Sequence, residues 1–408
     1  MKKIIFIFII IQTSIQFVEA QWIKQLSPAH AIRDIEFINR NTGWACGDNF
    51  IYKTTNGGKN WINQPNPSTF LIQQIHPVND SVVYAAGWWN FLKTTNGGEN
   101  WMSIFSGGPG QGLPVLEGLY FINENTGWMG GNVMVMKTTN GGKSFIDSMR
   151  VEGVVQDVYF KNKMEGLASG LASAFFKTTN GGDNWTQIHV ITQGSQYNFI
   201  RMSFINDSVG YMGGEIVFKT TDFGSSWDSV GTVPFGGEQA YCIEFADENT
   251  GYSGGTTGTL FKTTDGGHNW SHQQVSQFGQ GFFISIYAYS DSIVWAVGSG
   301  KILFTETGGL VSLEQLSSEI PKDFILYQNF PIPFNPETKI KFDINFKGNV
   351  KLEIFDMLGR NVSTLIDKKL QTGSYEVSYD MSEMNSGVYF YKLSLESFSK
   401  TMKMLLIK

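Results

Sequence analysis

The sequence predicts an all-β protein: a seven-bladed β-propeller closed by its own N-terminal strand, followed by a small Ig-like β-sandwich. Three observations carry this expectation. A glycine-rich phrase recurs seven times, a strand-like phrase precedes each copy by about twenty residues, and the texture of the chain changes after Gly309. Composition agrees, because 46 glycines among 408 residues and 14% aromatics, without runs of helical period, suit many short strands joined by tight turns.

The chain begins with a basic pair, Lys2 and Lys3, an apolar run from Ile4 to Ile11 and a small-residue stretch, Val18-Glu19-Ala20. This is the pattern of a signal peptide over residues 1–20, with the mature chain starting at Gln21. The apolar run is too short to cross about 30 Å of hydrocarbon, and no later segment qualifies, so no transmembrane anchor is expected. Loss of Lys2, Lys3 and Glu19, together a charge of +1, moves the formal net charge from −6 to −7. Nucleic acid is therefore excluded as a partner, since phosphate binding needs a dense basic face. The only cysteines, Cys46 and Cys242, fall in non-adjacent repeats and are expected to be buried free thiols.

The recurring phrase is Lys53-Thr54-Thr55-Asn56-Gly57-Gly58, repeated at Lys93, Lys137 and Lys177, as KTTDFG at Lys219, as KTTDGG at Lys262 and in worn form from Phe304 to Gly309. Successive starts lie 40, 44, 40, 42, 43 and 42 residues apart, the period of a four-stranded propeller blade. The preceding phrases begin at Asp34, Gln74, Gly118, Asp157, Arg201, Cys242 and Ser285, and the second position of each is apolar. Such alternation marks a strand with one face in the core. These are the first strands of the blades; aromatic-Xaa-Xaa-Gly stretches form the second, the run into each phrase the third, and the segment from the following aromatic the fourth. The phrase itself is the turn between the third and fourth strands, its Asn-Gly or Asp-Gly supplying positive φ angles. A phosphate-binding loop is excluded because no helix follows to aim its amides.

With the following aromatic, Thr54-Xaa-Asn56-Xaa-Gly58-Xaa-Xaa-Trp61 resembles the Asp-box of the bacterial neuraminidase repeat, again at Thr94 to Trp101, Thr178 to Trp185, Thr220 to Trp227 and Thr263 to Trp270. Phe145 replaces the aromatic Trp in one further copy. Together with the Gly-Trp-Xaa-Xaa-Gly element, residues 21–309 resemble the photosystem II stability and assembly factor type of propeller. The resemblance speaks to fold and only weakly to activity. Closure follows from the residues: the last repeat lacks a Trp-led fourth strand, whereas Gln21-Trp22-Ile23-Lys24-Gln25 matches Asn60-Trp61-Ile62-Asn63-Gln64. The N-terminal strand is expected to complete the last blade and remove an exposed edge.

Residues 310–322 read as a polar linker, and 323–408 as a separate sandwich with alternating strands such as Ile340, Phe342, Ile344 and Phe346. Within it lie Asn329, Pro331, Pro333, Phe334, Asn335 and Pro336, then Gly359 and Arg360 in a turn, then Gly387 and Tyr389. In this order the motifs closely resemble the type A C-terminal sorting domain of type IX secretion, with Ile332 where the family usually has Asn. The resemblance implies export through the periplasm to the outer-membrane surface of a Gram-negative bacterium or to the medium. It also implies the type IX secretion machinery and its sortase as partners.

Function in the ring is expected on the face carrying the longer connections, Gly107 to Gly118, Gln193 to Phe199, Pro234 to Tyr241 and Gln277 to Phe283. Candidate ligand-binding residues are Trp88 and Trp89 as an aromatic platform, Tyr241, and Asp34, Asp157, Arg201, Glu36 and Glu244 on first strands that line the channel. A solvated channel wall and packing between blades are the plainer readings of the same residues. A sialidase needs clustered arginines, and Arg33, Arg40, Arg150 and Arg201 are too scattered in register to converge. No His/Asp/Glu cluster has metal-ligand spacing, and no cofactor motif is present, so neither metal nor cofactor is expected. The reading that results is an exported propeller that binds a glycan or protein; the alternative is a carbohydrate-active hydrolase or lyase using Glu36 and Glu244.

Overall fold

The computed structural model describes residues 22–106, 115–171, 174–190, 201–213, 216–235, 240–273, 275, 278–306, 308, 313–381, 384–396 and 398–407. The expected signal peptide lies outside them, as do parts of the connections 107–118, 193–199, 234–241 and 277–283. Apart from a single 3-10 turn at Thr256–Gly258, the described elements are strands. They divide into two compact units, one built on Gln21–Leu310 and the other on Val311–Leu352 and Leu365–Lys408.

In the first unit, antiparallel strands pair in sequence order. Ile32–Phe37, Gly43–Gly47, Ile51–Thr54 and Ile62–Gln64 make one four-stranded sheet. The same arrangement recurs in the sheets that begin at Ile72, Arg201 and Ala240. Between them, the long strand Ile146–Phe160 pairs through its first half with Gly127–Thr138 and through its second with Gly166–Gly170, so that it serves two repeats in one six-stranded sheet. Phe283–Ala288, Val294–Gly298 and Lys301–Thr305 take Ile23–Leu26 as their fourth strand, with Ile23 opposite Phe304. Cys46 and Cys242 are free and buried.

Second strands are buried at nearly every position because a sheet packs on each side of them, as in Gly43–Gly47, Val83–Gly87 and Val294–Gly298. Small residues there make room for large neighbours. A Cβ on Gly43 would lie 2.4 Å from the ring of Phe37, and one on Gly127 would lie 2.5 Å from Phe121. Each such ring stacks in turn on an aromatic from the adjoining repeat: Tyr84 on Phe121 with centroids 3.7 Å apart, Trp128 on Phe160 at 3.5 Å, and Trp295 on Phe37 at 4.0 Å.

The glycine phrase is a self-bonded turn. At Thr94, Oγ1 donates to Asn96 Oδ1 (2.9 Å) and accepts the Gly98 amide (2.9 Å), while Asn96 Oδ1 also accepts the Asn100 amide (3.0 Å). Two left-handed residues, Gly97 and Gly98, complete it. The lysine of the phrase ties one sheet to the next: Lys53 Nζ lies 5.1 Å over the Trp44 ring and donates to the Gly97 carbonyl at 2.7 Å, which Trp44 Nε1 also reaches at 3.3 Å. In KTTDFG, Phe223 takes a left-handed φ of 54°, and its ring lies under Lys161 and Lys177 against Phe204.

The second unit comprises two four-stranded sheets. One holds Leu313–Ser317, Gly373–Asp380, Glu337–Ile344 and Ile325–Leu326; the other holds Asn361–Leu370, Gly348–Phe355, Gly387–Leu395 and Phe398–Leu406. Ile340, Phe342, Ile344, Val350, Leu352, Ile354 and Val377 are wholly buried, as the alternation predicts. The stretch 310–322, read from its polarity as a linker, differs in one respect. Its residues Leu313–Ser317 form an edge strand against Gly373–Asp380, a pairing made by backbone bonds that polarity does not reveal.

Candidate functional site

Residues two apart on a strand point to the same side, and on the first strands this produces two layers facing a cavity of about 250 Å³. The outer layer contributes Asp34, Gln74, Asp157, Arg201, Cys242 and Ser285. The inner layer contributes Glu36, His76, Tyr120, Tyr159, Ser203, Glu244 and Tyr287. Of the candidate site residues, Asp34, Glu36, Asp157, Arg201 and Glu244 therefore share one cavity.

The outer acids are held by neighbouring strands. Asp34 accepts the Ile75 amide at 3.0 Å and the Ser285 hydroxyl at 2.7 Å, and its Oδ1 lies 3.7 Å from Arg201 Nη2. Asp157 accepts the amides of Val158 (2.9 Å) and Met202 (2.8 Å). Ser203 Oγ accepts the Phe245 amide at 2.8 Å. Apart from the Val158 bond, which stays within its own strand, these bonds join first strands of adjoining sheets, and each carboxylate gives two of its roughly four acceptor sites. Burial disfavours the Arg201 charge, yet Asp34 and Asp157 hold its pKa above the ordinary value.

Two inner carboxyls behave otherwise. Glu36 Oε2 lies 3.5 Å from His76 Nδ1, while His76 Nε2 faces the Phe121 carbonyl at 3.0 Å. Burial pushes Glu36 up against the pull of His76; for His76 burial acts downward, but Glu36 raises it overall. The Glu244 carboxyl is pushed up to about 8, first by burial and then by Glu36 and Asp157, against a bond from Ser203. At neutral pH it is largely protonated. Burial likewise pushes the Cys242 thiol up to about 12, so it offers no thiolate.

Aromatic faces complete the wall: Tyr120 and Tyr159 meet edge-on with centroids 5.2 Å apart, and Tyr159 stacks on Phe204 at 4.6 Å. Gln74, 4% exposed, lines the cavity, and its Nε2 has no hydrogen-bond partner among the described residues. Gln74 was not among the candidates, although it occupies the column of Asp34 and Asp157; alignment of the repeats was the signal that marked it. Among the described residues, no three His, Cys, Asp or Glu side chains converge as metal ligands.

Trp88, Trp89 and Tyr241 lie outside the cavity lining. Trp88-Trp89 is the two-residue link between Val83–Gly87 and Asn90–Thr94, with Trp89 at a left-handed φ of 53°. Asn90 secures it, its Nδ2 donating to the carbonyls of Leu71 and Trp88 and to Ser68 Oγ. Trp88 remains 42% exposed, and Phe70 packs edge-on against Trp89 at 5.6 Å. Tyr241 meets Phe282 instead, with centroids 6.5 Å apart.

In the second unit, the motif residues are architectural in part. The Asn329 amide donates to Tyr391 Oη at 2.8 Å, and its Nδ2 donates to Thr338 Oγ1 and the Pro331 carbonyl. Phe334 is buried and exchanges backbone bonds with Leu405 and Ile407. The bonds preceding Pro331, Pro333 and Pro336 are cis, the last one following Asn335. Asp356 binds the amide and Nε of Arg360 around Gly359, which is left-handed at a φ of 78°. Tyr389 Oη donates to the Asn385 carbonyl, with Gly387 between them starting the strand.

Residues 328–408 match the secretion system C-terminal sorting domain family, and residues 146–235 match the photosynthesis system II assembly factor YCF48 family. Among solved structures, YCF48 bound to D1 peptide is 20% identical, covering 70% of this chain and 96% of that one with a TM-score of 0.58. YCF48 from Cyanidioschyzon merolae is 19% identical over 70% of this chain and 99% of its own, with a TM-score of 0.56. The extracellular domain of a hybrid two-component system from B. thetaiotaomicron is 12% identical over 95% of this chain and 57% of its own, at 0.52. These identities show a shared fold alone. No curated protein sequence matches the chain.

Proposed function

We propose that this chain, which joins a photosystem II assembly factor-like propeller to a type IX secretion sorting domain, is exported and binds a protein ligand outside the cell. In this reading residues 1–20 are removed during export and residues 21–309 form seven blades, the last completed by the N-terminal strand. Sandwich residues from 323 onward then direct passage through the type IX machinery. Pairing of Ile23–Leu26 with Lys301–Thr305 and the stack of Trp295 on Phe37 support the ring.

The observation that carries the binding role is the polar and aromatic cavity built by the first strands, and Trp88, 42% exposed outside its lining, offers a second apolar contact. A solved propeller of similar fold is bound to a peptide, which favours protein over glycan. The test is an array of extracellular proteins and glycans probed with mature protein and with a Trp88→Ala/Trp89→Ala variant. Saturable protein binding weakened by the variant is expected; exclusive glycan binding, or none, overturns the reading.

A secreted carbohydrate-active hydrolase is the second reading. It is favoured by Glu244, whose protonated state suits a general acid, in the same cavity as Glu36. Turnover of a polysaccharide that disappears in Glu36→Gln and Glu244→Gln would establish it in place of the first.

A further inference from the structure

We propose that the cavity receives a positively charged group of the protein ligand: an alkylammonium or guanidinium carried by a lysine, an arginine or a free amino terminus. This rests on the binding reading above and names the chemistry of its site.

Charge provides the first argument. Four carboxyls face the cavity, those of Asp34, Glu36, Asp157 and Glu244, against two basic groups, Arg201 and His76. Arg201 is engaged by Asp34 and Asp157, and His76 by Glu36. Glu244 has the Ser203 hydroxyl as its bonding partner, while Arg201, already committed to Asp34 and Asp157, acts on it only as a smaller influence than Glu36 and Asp157. A buried carboxyl in that position takes up a proton in place of a counter-ion, and an incoming cation can displace that proton. An anionic ligand finds no uncommitted charge here, because the guanidinium of Arg201 already faces two acids.

Surface and size agree. Tyr120, Tyr159, Phe204 and Tyr287 line the cavity, and aromatic rings suit an organic cation through their quadrupoles. Gln74 Nε2, a donor with no partner among the described residues, suits a carbonyl of the ligand next to the charged group and not the cation itself. The volume of about 250 Å³ equals that of roughly eight waters in the liquid. That is room for one long side chain.

Proton linkage follows. Glu244 is surrounded by Glu36, Asp157, Arg201 and Ser203, with Asp34, His76, Cys242 and Tyr287 on the same wall. Cation binding that ionises Glu244 releases a proton, so affinity rises with pH toward about 8.

The experiment is titration calorimetry of the mature full chain at pH 6.5 and 8.5 with blocked tripeptides Ac-Gly-Xaa-Gly-NH2, where Xaa is Lys, Arg, norleucine or Glu, and with Gly-Gly-Gly-NH2. Lys, Arg or amino-terminal peptides should bind about tenfold or more tightly than norleucine, the Lys and Arg peptides more strongly at pH 8.5 and with proton release, the amino-terminal peptide at pH 6.5, where its own amine, of pKa about 8, is charged. Which of the three binds identifies the source of the charge. The same preference should fall about tenfold in Glu244→Gln, whose fold is checked by circular dichroism. Equal binding of norleucine, a preference for the Glu peptide, or no binding by any cation overturns the inference on the wild-type chain alone. If the array still shows saturable protein binding in that case, only the cation assignment fails; if it does not, the binding reading falls as well.

Discussion

Glu36 Oε2 and His76 Nδ1 face each other at 3.5 Å across two adjoining sheets, with His76 Nε2 anchored on the Phe121 carbonyl at 3.0 Å. With Nε2 donating to that carbonyl, the second imidazole nitrogen and the carboxyl share one proton, and the pair titrates as a unit. Glu36→Gln removes the charge that favours the imidazolium while burial, which opposes it, remains. The His76 pKa should therefore fall by about one pH unit or more. Imidazole NMR shifts followed through a pH titration measure it, and an unchanged His76 midpoint contradicts the coupling.

Asp157 clamps adjoining sheets by accepting the Val158 and Met202 amides. Asp157→Ala leaves both donors buried without their acceptor and strips Arg201 of a counter-charge. A loss of about 2–4 kcal/mol is expected in denaturant unfolding. A loss below about 0.5 kcal/mol would mean that water replaces the carboxylate, as at a surface position.

Trp22 is 1% exposed and meets Tyr252 edge-on at 6.4 Å. Trp22→Ala should cost about 3–5 kcal/mol by emptying the contact between the N-terminal segment and the last repeats. Limited proteolysis should then cut first near residues 22–31. A near-neutral effect would argue against closure by this strand.

Glu244 carries a folded pKa of about 8 against an ordinary 4.5. Between those values the folded chain binds more protons than the unfolded one, so this group's contribution to stability is complete below about 4.5 and is lost as pH rises toward 8. Glu244→Gln removes that slope. The variant should be more stable than wild type by about 1–3 kcal/mol at pH 8.5 and near wild type at pH 4.5. Parallel pH profiles for the two proteins would refute the buried, protonated carboxyl.

In the sorting domain, Tyr391 Oη accepts the Asn329 amide and donates to the Tyr327 carbonyl. Tyr391→Phe should destabilise this domain by about 1–3 kcal/mol and reduce the amount of protein reaching the surface or medium, as read by fractionation and immunoblotting. Unchanged export with an unchanged melting profile would show that water satisfies both backbone groups.

Much of this architecture was legible because strand alternation and turn chemistry are local. Thr94, Asn96, Gly97 and Gly98 build their turn within a few residues, so their pattern appears in any copy of the phrase. Lys53 also recurs in the phrase, but its partners, Trp44 and the Gly97 carbonyl, lie on another strand and in the next repeat. The column starting at Asp34 grouped Asp34, Glu36, Asp157, Arg201 and Glu244, and these residues line one cavity. It did not reveal that Asp34 and Asp157 accept backbone amides while burial keeps the Glu244 carboxyl protonated. Trp88 and Trp89 stand out as a pair in the sequence, yet the left-handed φ of Trp89 and the bond from Asn90 Nδ2 to the Leu71 carbonyl beside it appear only in the folded chain.

The amino-acid order alone determined the repeat, its turns, the apolar column of the first strands and the sorting motifs, since each follows from side-chain period and backbone preference over short spans. The division of labour inside the cavity was decided only by tertiary structure. Whether a carboxyl is a clamp, an acid or a counter-ion depends on which donors from distant strands reach it and how far water is excluded, and a linear pattern encodes neither.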